Sequence, residues 1–217
     1  MHKLFSFLIL LSLSSNLWAE APPFESHLFK KGTLVYSDDF DGELNLERWE
    51  PRSGTRWEVR DGLLIGRPSS REFQEKHKDD SDDHRGLGPV IRLNHIPERF
   101  VCHMRFKFEG EGYQAARPKL DIGHHINNLF FRKGGYSLKL SGGERFEDRE
   151  SGFELNEWTD IVIELKEGKL LIELNGHQRL FEHEQATMNG REEFTFKALM
   201  SASSRLVFDY VRLWEGD

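Results

Sequence analysis

Hydrophobic and polar positions alternate along most of the chain with a period of two rather than 3.6, the signature of half-buried strands. The clearest run places Phe100, Cys102, Met104, Phe106 and Phe108 on one face, with Val101, His103, Arg105 and Lys107 on the other. Ile161, Ile163 and Leu165 alternate with Val162, Glu164 and Lys166. A turn at Lys166-Glu167-Gly168-Lys169 follows, and Leu170, Ile172 and Leu174 resume the pattern. Asn175-Gly176 then signals a hairpin, because both positions tolerate positive φ, and leads into a strand from His177 to Phe181. Leu206 to Trp214 is β-rich on both faces, as expected of a strand buried on two sides. Further strands are expected at Thr33–Ser37, Arg56–Arg60, Leu63–Gly66, Pro89–Leu93, Lys119–His124, Asn127–Arg132, Tyr136–Leu140 and Phe194–Ala198.

Many short strands separated by Gly, Asn and Asp turns predict an all-β, two-sheet antiparallel sandwich of the jelly-roll type. No stretch reads as a long amphipathic helix, and no fixed repeat suggests a propeller or solenoid. Ser69 to Gly88 and Glu144 to Gly152 break the alternation with dense mixed charge and read as solvent-exposed loops. The first is rich in the oxygen ligands calcium takes, but lacks the central glycine and terminal glutamate of the usual calcium loop.

The chain opens with Lys3, an apolar run from Leu4 to Leu13 broken by Ser6 and Ser12, and a small residue at Ala19. These are the parts of a secretory signal peptide over residues 1–19, leaving one jelly-roll domain over residues 20–217. The expected location is secreted or periplasmic. About 20 apolar residues are needed to span a bilayer, so no membrane span is expected in the mature chain. The formal charge of −7 becomes more acidic once Lys3 is removed. An acidic balance excludes sequence-independent nucleic-acid binding, which rests on Lys and Arg neutralising phosphates. A neutral partner such as a carbohydrate fits better. The single cysteine, Cys102, has no internal partner for a disulfide. Its place in an apolar alternation makes it a packed core residue.

Several separated motifs carry a resemblance. Asp38-Asp39-Phe40-Asp41-Gly42 and Trp49 are followed by Trp57-Glu58-Val59-Arg60-Asp61-Gly62-Leu63-Leu64. Later come Glu157-Trp158-Thr159-Asp160-Ile161, Leu174-Asn175-Gly176-His177, and the closing Val207-Phe208-Asp209-Tyr210-Val211-Arg212-Leu213-Trp214. In this order they resemble the 3-keto-disaccharide hydrolase domain family, a branch of the concanavalin A-like lectin/glucanase sandwiches. The resemblance implies a jelly roll whose concave sheet carries a site for glycosides. The motifs themselves are turns and core anchors, evidence for architecture rather than chemistry. Many relatives have an Asn-Ser-Gly stretch before an apolar strand and Arg. Here Lys119-Leu120-Asp121-Ile122-Gly123-His124-His125 and Asn127-Asn128-Leu129-Phe130-Phe131-Arg132 stand instead.

A retaining glycosidase needs two carboxyl groups about 5.5 Å apart. The related family 16 enzymes set them on a Glu-x-Asp-x-x-Glu-like strand, which this sequence lacks. A classical glucanase is therefore disfavoured. Asp121, His124 and His125 form the best remaining cluster, and an extended Lys119–His124 would turn Asp121 toward His103 and Arg105. Such a group can bind a sugar, hold a divalent cation, or supply a base near neutral pH. A ketone at the sugar's third carbon acidifies the neighbouring carbon–hydrogen bond, so a base plus an electrophile can expel the glycosidic substituent. His124, Asp121 and His103 are the candidate catalytic residues, with Arg105, His125, Arg132 and Lys139 as candidate substrate contacts. Trp49, Trp57 and Trp158 are expected to pack in the core. Two non-enzymatic readings fit the same scaffold: a glycan-binding module and an envelope interaction domain.

Overall fold

The structure is a computed structural model and describes residues 23–81, 84–113, 118–198 and 200–217. The expected signal peptide lies outside the described residues. In chain order the first strands are β1 (Gly32–Asp38), β2 (Trp49–Pro51), β3 (Arg56–Arg60) and β4 (Leu63–Arg67). A single helical turn, α1 (Arg71–Lys76), precedes β5 (Val90–Asn94), β6 (Phe100–Glu109), β7 (Lys119–Ile122) and β8 (Asn127–Arg132). Then come β9 (Gly135–Lys139), β10 (Arg145–Asp148), β11 (Thr159–Lys166) and β12 (Lys169–Leu174). The last are β13 (His177–Glu182), β14 (Glu193–Lys197) and β15 (Arg205–Gly216).

These strands form two antiparallel sheets. An eight-stranded sheet runs β13-β12-β11-β6-β15-β4-β3, with β1 also paired to β15. A seven-stranded sheet runs β10-β9-β8-β7-β14-β5-β2. The expected two-sheet sandwich is thus borne out. β15 is its spine: Leu206–Phe208 pairs with β4, Val211–Gly216 pairs with β1, and β6 lies along the other edge throughout. A bulge between Phe208 and Tyr210 resets the alternation, so Leu206, Phe208, Val211 and Leu213 all turn inward.

The core between the sheets is aromatic. Phe208 packs 5.1 Å from Trp49 and 4.9 Å from Phe196, while Phe106 lies 5.5 Å from Phe131, in tilted and edge-to-face pairs. Trp49 donates its indole N–H to Tyr36 Oη at 2.9 Å, so its polar edge is satisfied inside the core. Cys102 is fully buried and burial pushes its thiol up, in line with a packing role.

The outer face of the eight-stranded sheet is closed by the segment before β1. Phe29 packs with Val101 and Trp214, and Phe24 meets Trp214 edge-on at 5.9 Å. Glu164, fully buried on β11, accepts hydrogen bonds from Ser26 Oγ at 2.6 Å, His27 N at 2.9 Å and Leu28 N at 2.8 Å. This cover explains why β15 reads as apolar on both faces.

Two stretches expected to be loops contain regular structure. Within 69–88, Ser70 caps α1 by accepting from Phe73 N at 3.1 Å, and Phe73 fills the space over Gly54 that a side chain there would need. Within 144–152, β10 pairs with β9, with Arg145 and Glu147 outward and Asp148 buried. With a charged residue, Asp148, on the buried side and only four residues in all, β10 shows no apolar alternation.

Candidate functional site

The candidate site is built on the outer face of the seven-stranded sheet. Cross-strand register aligns Glu50, Arg92, Thr195, Asp121, Asn128, Lys139 and Arg145 in one row from β2 to β10. The intervening residues Ile91, Phe194, Leu120, Leu129 and Leu138 are buried in the core, which fixes the row outward. A second row follows with Lys197, Lys119, Phe130, Ser137 and Glu147.

His124 and His125 sit in the turn between β7 and β8, since β7 ends at Ile122 rather than His124. The turn closes with Ile126 N donating to Gly123 O at 2.8 Å, and Gly123 N donates to Glu193 O at 2.8 Å, tying it to β14. Positive φ at Gly123 and His125 permits the reversal. The two imidazole rings lie 4.0 Å apart. His125 Nδ1 stands 3.6 Å from Asp121 Oδ2, and Lys119 Nζ 2.9 Å from Asp121 Oδ1. Asp121 itself is fully buried and makes no aligned hydrogen bond.

His124 faces the other way along the sheet. Its Nδ1 is 3.1 Å from Glu193 Oε1, which also meets Arg92 Nε at 3.0 Å; Arg92 Nη1 in turn reaches Glu50 Oε2 at 3.2 Å. Burial, followed by the neighbouring His125 and Arg92, pulls the His124 imidazole below its ordinary 6.5. The shift favours the neutral form. The contacts are ion pairs without aligned hydrogen bonds: His124 Nδ1, Glu193 Oε1 and Arg92 Nε each lack a hydrogen-bond partner.

The expected meeting of Asp121 with His103 and Arg105 is overturned. β6 pairs with β11 and β15, not with β7, so His103 and Arg105 lie on the outer face of the opposite sheet. His103 packs edge-on against Trp214 at 4.9 Å, and burial lowers its imidazole. Arg105 engages Asp209 at 3.3 Å and the Trp158 ring at 5.3 Å. Trp158 is consequently a surface residue of that sheet, held also by Lys107, whereas Trp49 packs within the core and Trp57 against it. Arg132 is on the candidate face but is committed to both oxygens of Glu147. Lys139 is on it and has no ion-pair partner among the described residues. Nor do three His, Cys, Asp or Glu side chains converge to hold a metal among those residues.

Arg92, Glu193, Lys119 and Glu50 were missed. Alternation alone puts Arg92 and Glu193 on polar strand faces, but their partnership needs the β5–β14 pairing, which joins segments about 100 residues apart.

No family model matches the sequence, and no curated protein matches it. Solved structures do. An endo-β-galactosidase from Clostridium perfringens that releases GlcNAcα1-4Gal aligns with a TM-score of 0.61 and 14% identity, over 90% of this chain and 65% of that one. SCLam, a non-specific endo-β-1,3(4)-glucanase from family GH16, aligns with a TM-score of 0.57 and 12% identity, over 89% and 95%. The carbohydrate recognition domain of Emp47p aligns with a TM-score of 0.52 and 11% identity, over 89% and 100%. At these identities the likeness establishes the jelly-roll fold alone.

Proposed function

We propose that this protein acts on glycosides at the outer face of the seven-stranded sheet, with a 3-keto sugar as the substrate and His124 as the base. The observation that supports this reading is an imidazole whose Nδ1 lies 3.1 Å from Glu193 Oε1, a carboxylate oxygen that Arg92 also meets. His124 Nε2 removes the proton from the carbon beside the ketone. The electron pair moves to the ketone oxygen as an enolate, which a guanidinium or ammonium stabilises. The enolate then expels the glycosidic oxygen, which leaves as an alcohol after taking a proton from water. Asp121, enclosed by Lys119 and His125, is a positioning residue that holds the turn rather than an open acid. Fold neighbours that cut galactosides and glucans support a glycan substrate, and a classical carboxylate pair is not needed for this route. Export by the segment over residues 1–19 belongs to the same proposal.

The test is turnover of a 3-keto-glycoside by the wild-type protein and His124→Ala. Loss of a general base typically costs 10²–10⁴-fold, so we expect kcat/KM to fall at least ~100-fold. Because the neutral imidazole is the active form, the rate rises as pH passes upward through the His124 titration, which burial displaces below its ordinary value. Chelator leaves it unchanged. Undiminished turnover in the variant removes His124 from the mechanism. A second reading, binding without turnover, is favoured by the fold shared with a carbohydrate recognition domain; wild-type protein that binds glycans but turns none over selects it.

A further inference from the structure

The far end of the same face carries an arrangement that the elimination chemistry does not use. Lys139 on β9 and Arg145 on β10 are direct cross-strand partners. Like charges at directly opposite positions destabilise a sheet. Elsewhere on this face Arg92 is matched by Glu50 and Glu193 and Arg132 by Glu147, and in the one other like pair, Lys197 opposite Lys119, Lys119 is matched by Asp121. Neither Lys139 nor Arg145 has an ion-pair partner among the described residues. Glu147 shares their face two residues on, but Arg132 already holds both its oxygens.

Beside the pair stands Phe130, diagonal to Lys139 across β8 and β9. It is partly exposed on the outer face, while Leu129 and Phe131 on either side are fully buried in the core. Its cross-strand neighbour Ser137 is small, and Lys119 Nζ lies 5.7 Å from its ring. An apolar ring displayed on a polar sheet beside the small Ser137 is a surface on which the C–H face of a sugar stacks.

From this juxtaposition we infer that the β8–β10 end of the face binds an anionic substituent of a glycan, a carboxylate or a sulfate ester, between Lys139 and Arg145, with the adjoining sugar on Phe130. The inference rests on the glycan reading above and names its substrate class. An anion between the two cations turns a repulsive pair into two charge-assisted hydrogen bonds. The overall charge of −7 opposes anions at long range, but screening over ~8 Å at physiological salt leaves the local pair in control.

The experiment is calorimetric titration of the full protein with three oligosaccharides of equal length: a uronate oligomer, a sulfated galactan oligomer and a neutral glucan oligomer. We expect at least one anionic ligand to bind ~10-fold or more tighter than the neutral one, with the advantage shrinking as salt rises. The double variant Lys139→Gln/Arg145→Gln loses that advantage, and its thermal midpoint stays level or rises because the repulsion is gone. Phe130→Ala weakens both classes. Which anionic ligand wins assigns carboxylate or sulfate. Equal binding of anionic and neutral ligands, no binding of either anionic ligand, or a double variant that keeps its preference overturns the inference. Failure of the elimination reading is separate: it appears as absent turnover with anion preference intact, and His124→Ala leaves that preference in place.

Discussion

At the scale of single residues, Asp148 shows how one carboxylate joins the edges of the two sheets. It ends β10 on the seven-stranded sheet, and its Oδ2 lies 3.1 Å from His177 Nε2 on β13 of the other. Its Oδ1 accepts the amides of Glu150 at 3.1 Å and Ser151 at 3.0 Å. Burial works against its charge, yet the bonds from Ser151 and Glu150, with His177 alongside, hold the carboxyl below the usual 3.8. A carboxyl depressed in the folded state stabilises fully above its unfolded value, and that contribution is lost as pH falls through the folded one. Asp148→Asn is therefore expected to lower stability at pH 7 and to narrow the gap between the variant and wild type by pH 3. Urea unfolding at the two pH values measures this; a gap that does not narrow would remove Asp148 as a source of acid sensitivity.

At the scale of elements, the segment over residues 24–29 makes three of its hydrogen bonds to one side chain of β11. Glu164 receives one hydroxyl and two backbone amides from it, and hydrogen bonds to a charged group are each worth about 1.5–3 kcal/mol. Glu164→Ala is expected to cost roughly 3 kcal/mol and to open this segment to proteolysis before the rest of the chain. Loss measured by denaturant titration without early cleavage near residue 27 would show that the aromatic contacts of Phe24 and Phe29 hold it unaided. Most strands were readable because their alternation is local: β6, β11, β12 and β8 fall where the apolar residues place them. β2 and β10, at three and four residues, are too short to display a period. The site divides in the same way. Asp121, His124 and His125 are neighbours in the chain and were legible as a group, whereas placing His103 with them required knowing which strand lies beside β6. Alternation gives a side chain its face, never the sheet to which that face belongs.

At the scale of the molecule, stability rests on aromatic rings contributed from both sheets. Phe208 from the eight-stranded sheet touches Phe196 and Trp49 from the other, at 4.9 and 5.1 Å. Phe208→Ala leaves a cavity at the centre and is expected to cost about 3–5 kcal/mol in equilibrium unfolding. A loss below ~1 kcal/mol would mean the two layers collapse to fill it. The pairing of β1 with β15 has a temporal corollary. Gly32 lies opposite Gly216, so among the described residues β1 has no sheet neighbour until β15 has been made. That seam closes only over the long stretch between β1 and β15, and loop closure of that length sets a slow pace for acquiring the native state.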